Sequence, residues 1–458
     1  MGIDVEEADA PGSVGGQVKA SYKEIFTTMS ILGWTGFGGP AAHVGLFKKA
    51  FVERLNWMSE TVFLELFALG QCLPGPTSTQ LSFSVGITKK GIPGGLMSGM
   101  LFQYPGLLMM SLLGAFAKWA LDDPADWVRG ISAGLAAVGV ALVAGAAKGL
   151  CEKICGTKPL AGLCVLSAVV AYLYRSAWIF PLLILVGGLV TLYLKRNDDV
   201  ALKEVDESVD HYGVGPKGGA FLILLWAVLL VLFIVLRDNV DYYEADGSIS
   251  AHAAVHWFEA FYRTGSIIFG GGQVVLPLLL HEVVSFNEVC TVNAEGNKVC
   301  EDVQDPTRSW VTEEEFFAGL GIVQAMPGPL FNLSAYLGAV MAIRAGHSAM
   351  EGIAACWLGL FGPGILLIYG VLPFWGRFRS LPVYRRMLPG LNASAVGLVV
   401  AAVFQMFVKV RSISEFPNAS VAIGIIGYSA VEQYKLQAPL AVVGGGVLGL
   451  IAWALEFK

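Results

Sequence analysis

The sequence predicts an all-α polytopic membrane protein of two homologous halves, arranged as inverted-topology repeats with re-entrant or broken helices. Three observations carry that fold class. The 458 residues are 55% hydrophobic and only 14% charged, where an ordinary globular domain is about 25% charged. Apolar runs of about 15 to 25 residues recur along almost the whole chain, enough for repeated crossings of a hydrocarbon core about 30 Å thick. The same short motifs then return at constant offsets, the signature of a duplication.

Trp57-Met58-Ser59-Glu60 matches Trp310-Val311-Thr312-Glu313 at an offset of 253 residues, which also aligns Phe63 with Phe316, Gln71 with Gln324, and Pro74-Gly75-Pro76 with Pro327-Gly328-Pro329. Upstream, Phe37-Gly38-Gly39 answers Phe269-Gly270-Gly271. Downstream, Pro105-Gly106 answers Pro363-Gly364 and Ala137-Val138-Gly139 answers Ala395-Val396-Gly397, both at 258.

Taken in order, residues 1–21 are polar, acidic and Gly-rich without a secretory apolar stretch, and read as a disordered cytosolic tail. Residues 22–194 form the first repeat. Within it, Ile25 to Phe47 is interrupted by Gly38-Gly39-Pro40 and Thr61 to Ile87 by Pro74-Gly75-Pro76. The flanking pieces, about 10 to 14 residues each, are too short to span. Each pair therefore reads as a re-entrant hairpin, with a kinked single helix as the competing reading. Residues 195–252 link the halves and include an extra helix at 219–236 with no counterpart in the first repeat. Residues 253–456 form the second repeat, with an acidic insertion at about 287–309 that carries Cys290 and Cys300. The count comes to roughly nine crossings and four re-entrant pairs.

One extra crossing between copies inverts the second copy, and loop charge agrees. His281 to Glu315 holds nine acids with only Lys298 and Arg308 as bases. The stretch around Arg377, Arg379, Arg385 and Arg386 holds bases and no acid, which places it in the cytoplasm by the bias of Lys and Arg toward that side.

Several function classes drop out. A net charge of −6 without a long Lys/Arg tract argues against nucleic acid. No G-x-x-x-x-G-K-[ST] is present, so no nucleotide-driven engine is expected. Seven Cys, the nearest pair being Cys151 and Cys155, match neither a disulfide framework nor a zinc signature. No metal and no cofactor are expected. A membrane enzyme acting on lipid phosphate would want an acidic or histidine cluster, and Asp198-Asp199 lies instead in a solvated charge run, so no enzyme is expected.

The breaks are where chemistry is expected. Non-helical backbone at membrane depth persists only when buried in protein or lining a cavity. A half-helix starting at a break aims free N–H groups and the positive end of its dipole at the midplane, an anion site that needs no Lys or Arg. The candidate anion-binding residues are Gly38, Gly39, His43, Gln71, Gly75, Thr77, Ser78, Gly270, Gly271, Gln324, Gly328 and Asn332. Thr79 and Ser334 read as satisfying backbone freed by proline. His43 is asymmetric, since its counterpart is Val275. Glu53, Glu65 and Glu282 are carboxylates to be placed, and Lys48, Lys49 and Arg54 read as snorkelling to the interface. The bland alternative is that Gly and Pro only kink helices and help them pack.

Gly36-Phe37-Gly38-Gly39-Pro40 with His43, Phe63 to Pro76, Phe269 to Pro277, and Gln324-Ala325-Met326-Pro327-Gly328-Pro329-Leu330-Phe331 together resemble the chromate ion transporter family in its long, two-domain form. The resemblance covers roughly residues 22–456. It implies transport of chromate, with sulfate as the physiological look-alike and, in several members, efflux that gives chromate resistance. The expected function is thus a secondary transporter of a divalent tetrahedral oxyanion in the plasma membrane, working by alternating access. An oxyanion channel and the lipid-phosphate enzyme are the alternatives. Expected partners are the small inorganic anion and membrane lipid; a coupling ion or proton and a homodimer are compatible with the sequence and not fixed by it.

Overall fold

A computed structural model of the chain describes residues 20–37, 39–121, 126–174, 179–196, 212–244, 248–268, 275–292, 298–305, 307–378, 381–414 and 416–455. Most of the N-terminal tail, most of the charged linker, residues 122–125, and Gly38, Phe269, Gly270 and Gly271 lie outside these residues.

The first half runs α1 (Tyr22–Thr35), α2 (Gly39–Phe47) continued by a π-helical segment (Lys48–Arg54), α3 (Glu60–Cys72), α4 (Thr77–Leu121), α5 (Asp126–Ile154), α6 (Lys158–Leu173) and α7 (Ile179–Leu194). After α8 (Pro216–Asp238), the second half repeats the succession: α9 (Ala253–Ile267), α10 (Val275–Val283), α11 (Glu313–Ala325), α12 (Leu333–Arg344), α13 (Ala349–Phe378), α14 (Pro382–Ile413), α15 (Pro417–Glu432) and α16 (Ala438–Ala454). The correspondence holds because α4 is two helices in one: Lys90 and Gly91 leave helical geometry, Gly91 at φ +60°. That joint corresponds to the gap between α12 and α13, where Gly346 takes φ +77°. Among the described residues, five helices are long and apolar enough to cross a membrane, and several shorter apolar helices accompany them. The chain is an integral, multi-pass membrane protein.

The duplicated Trp-x-[Ser/Thr]-Glu motif has a local cause. Ser59 caps α3, its hydroxyl accepting from the Val62 amide at 3.2 Å. Thr312 caps α11 in a reciprocal box with Glu315. Each tryptophan packs beside its cap, Trp57 stacked on Phe51 and Trp310 on Tyr242. Replacing Thr312 with alanine is expected to cost about 1 kcal/mol, read as a lower thermal unfolding temperature in detergent, whereas Thr312→Ser should stay near wild type.

The segments around Pro-Gly-Pro fold back on themselves. Tyr336 Oη donates to the Glu315 carbonyl at 3.1 Å, and Arg344 Nη1 pairs with the Glu315 carboxylate at 3.0 Å. A continuous kinked helix would hold residues so far apart in sequence at opposite ends, so α11 and α12 are the two legs of a hairpin. In the first half, Thr77 Oγ1 reaches the Gly70 carbonyl at 3.4 Å, joining α3 to the start of α4 in the same sense.

The halves are interlocked rather than side by side. α5 packs against α15 and α16 of the other half, and α14 against α6 and α7. Small residues allow this approach: Gly130 and Gly134 of α5 meet the carbonyls of Gly449 and Gly445 of α16, where a Cβ would fall 2.8 and 2.1 Å from oxygen. One element departs from the all-α expectation. The acidic insertion forms an antiparallel hairpin of β1 (Phe286–Val292) and β2 (Lys298–Gln304), in a register that sets Cys290 opposite Cys300. Period-2 alternation in so short a polar stretch is too weak a signal to read reliably from sequence.

Candidate functional site

Each Pro-Gly-Pro turn is bonded to the residue that precedes the Phe-Gly-Gly motif of the other half. The Gly75 amide donates to the Ile268 carbonyl, and the Gly328 amide donates to the Gly36 carbonyl, both at 2.8 Å. Gly36 and Ile268 occupy matching positions, each one residue before a Phe-Gly-Gly motif. The two bonds are therefore the same contact made twice, Pro-Gly-Pro turn of one repeat to Phe-Gly-Gly break of the other. Both turns need glycine, since Gly75 sits at φ +115° and Gly328 at φ +92°.

The long helices carry a second crossing contact. A Cβ on Gly106 of α4 would fall 2.4 Å from the Pro327 carbonyl oxygen, and one on Gly75 would fall 2.9 Å from Gly364 Cα of α13. The matched Pro105-Gly106 and Pro363-Gly364 pairs thus lie against the opposite Pro-Gly-Pro turn. α13 touches both turns, through Gly364 at one and through Trp357 at the other, where its indole N–H donates to Asn332 Oδ1 at 3.2 Å. Seven helical residues separate these contacts, about 10 Å along the axis, so the two turns lie near one another.

Two helical segments begin directly after these turns, α4 at Thr77 and a 3-10 turn (Leu330–Asn332) that leads into α12, and α2 opens at Gly39, three residues after Gly36. The first bonds of the two segments after Pro-Gly-Pro are Gln80 N–H to the Pro76 carbonyl and Asn332 N–H to the Pro329 carbonyl, both 3.0 Å. The amides before them lie in the first turn, which has no intrahelical acceptor.

Polar side chains gather here without full partnership, although buried polar atoms are normally paired. His43 is wholly buried, with Nε2 2.9 Å from the Gly36 carbonyl and its ring edge-on to Phe102, while Nδ1 meets no protein partner. Gln324 Nε2, Thr79 Oγ1, Ser334 Oγ, Gln80 Oε1 and Gln103 Oε1 are likewise buried and unpaired. These are the atoms a desolvated, hydrogen-bonding solute or ordered water would satisfy.

The sequence candidates sort as follows. Gly75 and Gly328 spend their amides on the cross-repeat bonds and so build the site. Asn332 is engaged at both ends of its amide, accepting from Trp357 and donating to the Gln103 carbonyl at 3.3 Å. Thr77 and Ser78 are buried in the first turn of α4. Gln324 keeps a free donor, as His43 keeps a free ring nitrogen. Gly39 opens α2, and Gln71 lies in the last turn of α3. Gly38, Gly270 and Gly271 lie outside the described residues.

Gln80 and Gln103 are the additions. Gln80 Nε2 donates to the Pro74 carbonyl at 2.7 Å, bracing the turn, and Gln103 stands on α4 opposite Asn332. A lone glutamine two residues before Pro105-Gly106 in an apolar run was the available signal for Gln103. Thr79 and Ser334, read from sequence as satisfying backbone, hold hydroxyls with no protein partner.

Of the three carboxylates, Glu53 is exposed, and Glu65 and Glu282 are paired. Glu65 lies 3.9 Å from Arg385, at the start of α14. Glu282 makes a bidentate pair with Arg263 at 2.8 Å for each bond, and Arg263 also binds Glu259. Arg237 of α8 completes a neutral quartet by reaching Glu259 at 3.1 Å. The quartet has no counterpart in the first half: with the Phe-Gly-Gly motifs aligned, Glu259, Arg263 and Glu282 correspond to Thr27, Ile31 and Ala50, and Arg237 comes from the linking helix α8. Glu259 and Arg263 are an i,i+4 pair on the helix entering the break, a spacing visible in the sequence.

The profile described as "Chromate transporter" matches residues 23–192 and 300–450. A chromate transport protein of Cupriavidus metallidurans is 22% identical over 98% of both chains. A chromate transport protein of Pseudomonas aeruginosa is 24% identical over 94% of this chain and 93% of its own. An uncharacterized transporter of Methanocaldococcus jannaschii is 23% identical over 83% of each chain. No significant match is found among solved structures.

Proposed function

This chain belongs to the chromate transporter family, a family of transporters rather than enzymes, and from that premise we propose that it moves a divalent tetrahedral oxyanion, chromate and with it sulfate, across the plasma membrane. The reading is carried by one observation above the others: the reciprocal bonds from Gly75 to Ile268 and from Gly328 to Gly36 bring all four breaks to the junction of the halves. Transporter sites built from duplicated halves lie at such a junction, near the midplane.

The anion is held by neutral donors, namely amides of the half-helix first turns, the Gln324 carboxamide and the Thr79 and Ser334 hydroxyls. Neutral donors hold a dianion and still release it, whereas a buried guanidinium would trap it. Residues 22–194 and 253–456 are the two repeats, with 195–252 supplying the crossing that inverts the second. Since α5 packs on α15 and α16, and α14 on α6 and α7, the segments flanking the breaks move against this interlocked scaffold and alternately open the junction to each side. A dianion leaving a cell across about 100 mV gains about 4.6 kcal/mol, at about 2.3 kcal/mol per charge, so net efflux needs no coupling ion.

Flux of labelled sulfate and chromate into proteoliposomes of the purified protein tests this. The two anions are expected to saturate and to compete. Gln324→Leu removes one donor to a charged ligand, worth about 1.5–3 kcal/mol, and is expected to raise the half-saturating concentration about 10- to 100-fold while the protein elutes as wild type. Absence of flux of either anion under every gradient sinks the substrate assignment. Flux that rises linearly with concentration, without competition, replaces the carrier with a channel.

A further inference from the structure

Away from the repeat junction, α5 ends and α6 begins around three thiols. Cys151 lies in the last turn of α5, and the Cys155 amide still bonds the Cys151 carbonyl at 2.9 Å, so the helical turn carries both side chains onto one face. Cys164, in the second turn of α6, is buried at 6% exposure and comes back onto the same spot. The three sulfurs lie within 4.8 Å of one another, and all three thiols are free.

We propose that Cys151, Cys155 and Cys164 form a three-sulfur site for a soft, thiophilic metal ion of the Cu(I) class. Sulfurs bound at about 2.3 Å around one ion in a trigonal plane lie about 4 Å apart, so the observed trio needs to close by less than an ångström. The surroundings permit it: a Cβ on Gly149, Gly156 or Gly162 would meet nothing within 4 Å. The donor set chooses the metal. No imidazole or carboxylate joins the cluster among the described residues, and an all-sulfur, three-coordinate site suits Cu(I), whereas hard cations want oxygen and Zn(II) wants a fourth ligand. Three thiolates around a monovalent ion leave two negative charges, and Lys153 and Lys158, exposed and within three residues of Cys155 in sequence, carry the opposite sign. Lys148, Lys153 and Lys158 also mark this end of α5 as cytoplasmic, where thiols stay reduced. Spacing alone hid the site, because a C-x-x-x-C pair with a third cysteine nine residues further on matches no common metal signature.

The reduced full-length protein in detergent is titrated with Cu(I) against a chromophoric Cu(I) chelator, and copper X-ray absorption then counts the neighbours. One Cu(I) per chain with three sulfur neighbours is expected. Cys155→Ser, a half-buried and sterically mild change, should lower affinity at least tenfold with an unchanged thermal unfolding temperature, and Cys151→Ser/Cys155→Ser/Cys164→Ser should abolish binding. Copper bound equally by the triple variant, or no copper bound by wild type, overturns the site. So does a copper centre with fewer than three sulfurs, or a trio that only oxidises to a disulfide under the same titration.

Discussion

Gly75→Ala is expected to lower the initial rate of oxyanion flux about 10- to 100-fold, with Gly328→Ala following at the lower end. At φ +115° and +92° a side chain costs about 1–3 kcal/mol of backbone strain, and each 1.4 kcal/mol is a factor of ten. Gly75 carries the larger penalty because its new Cβ would sit 2.9 Å from Gly364 Cα, backbone that cannot turn aside. The turn relaxes by moving, and moving it breaks the amide bond to Ile268 that joins the halves. Gly91 and Gly346 make the comparison decisive. They also take positive φ, +60° and +77°, but a Cβ at either meets open space. Gly91→Ala and Gly346→Ala should keep most of the flux. Equal losses in all four variants would mean that strain anywhere in the chain suffices and that the junction has no special part.

Arg263→Leu is expected to give the largest loss of stability, about 3 kcal/mol. Breaking a buried ion pair by removing one partner costs about 3–5 kcal/mol, because the other charge is left without compensation. The lower end applies here, since Arg263 keeps 23% exposure and Arg237 keeps 45%. Glu259, at 2% exposure, is left with Arg237 alone, and Glu282, at 19%, loses its bidentate partner. α8 stays held on α9 by Arg237 to Glu259 at 3.1 Å, Trp226 Nε1 to Ser266 Oγ at 3.0 Å and Tyr262 Oη to the Trp226 carbonyl at 3.2 Å, so the loss is local to α9 and α10. Thermal unfolding in detergent reads the effect. Adding Glu259→Leu to Arg263→Leu should recover part of the loss; a further drop instead would show that the quartet is not the source of the energy.

Much of this architecture was legible along the chain, and the reasons are local. The halves announce themselves because Trp57 to Glu60 and Trp310 to Glu313 each encode a helix cap, and caps need particular side chains at particular places. The extra helix at 219–236 is visible because an uninterrupted apolar run has one common use, and α8 follows it closely. The breaks are visible because glycine and proline are expensive inside a span. The charged quartet was half legible: the spacing of Glu259 and Arg263 is written in the sequence, but the contribution of Arg237 from α8 is not.

The sequence by itself determined the class of molecule, the duplication and the positions where helices must break, since composition, periodicity and turn chemistry act over a few residues. The tertiary structure decided which break meets which. Nothing local links Gly75 to Ile268, Gly328 to Gly36, Gly106 to Pro327, or Asn332 to Gln103. Those contacts exist because the halves interlock, and glycine at each crossing lets one backbone approach another where any larger side chain would hold the two apart.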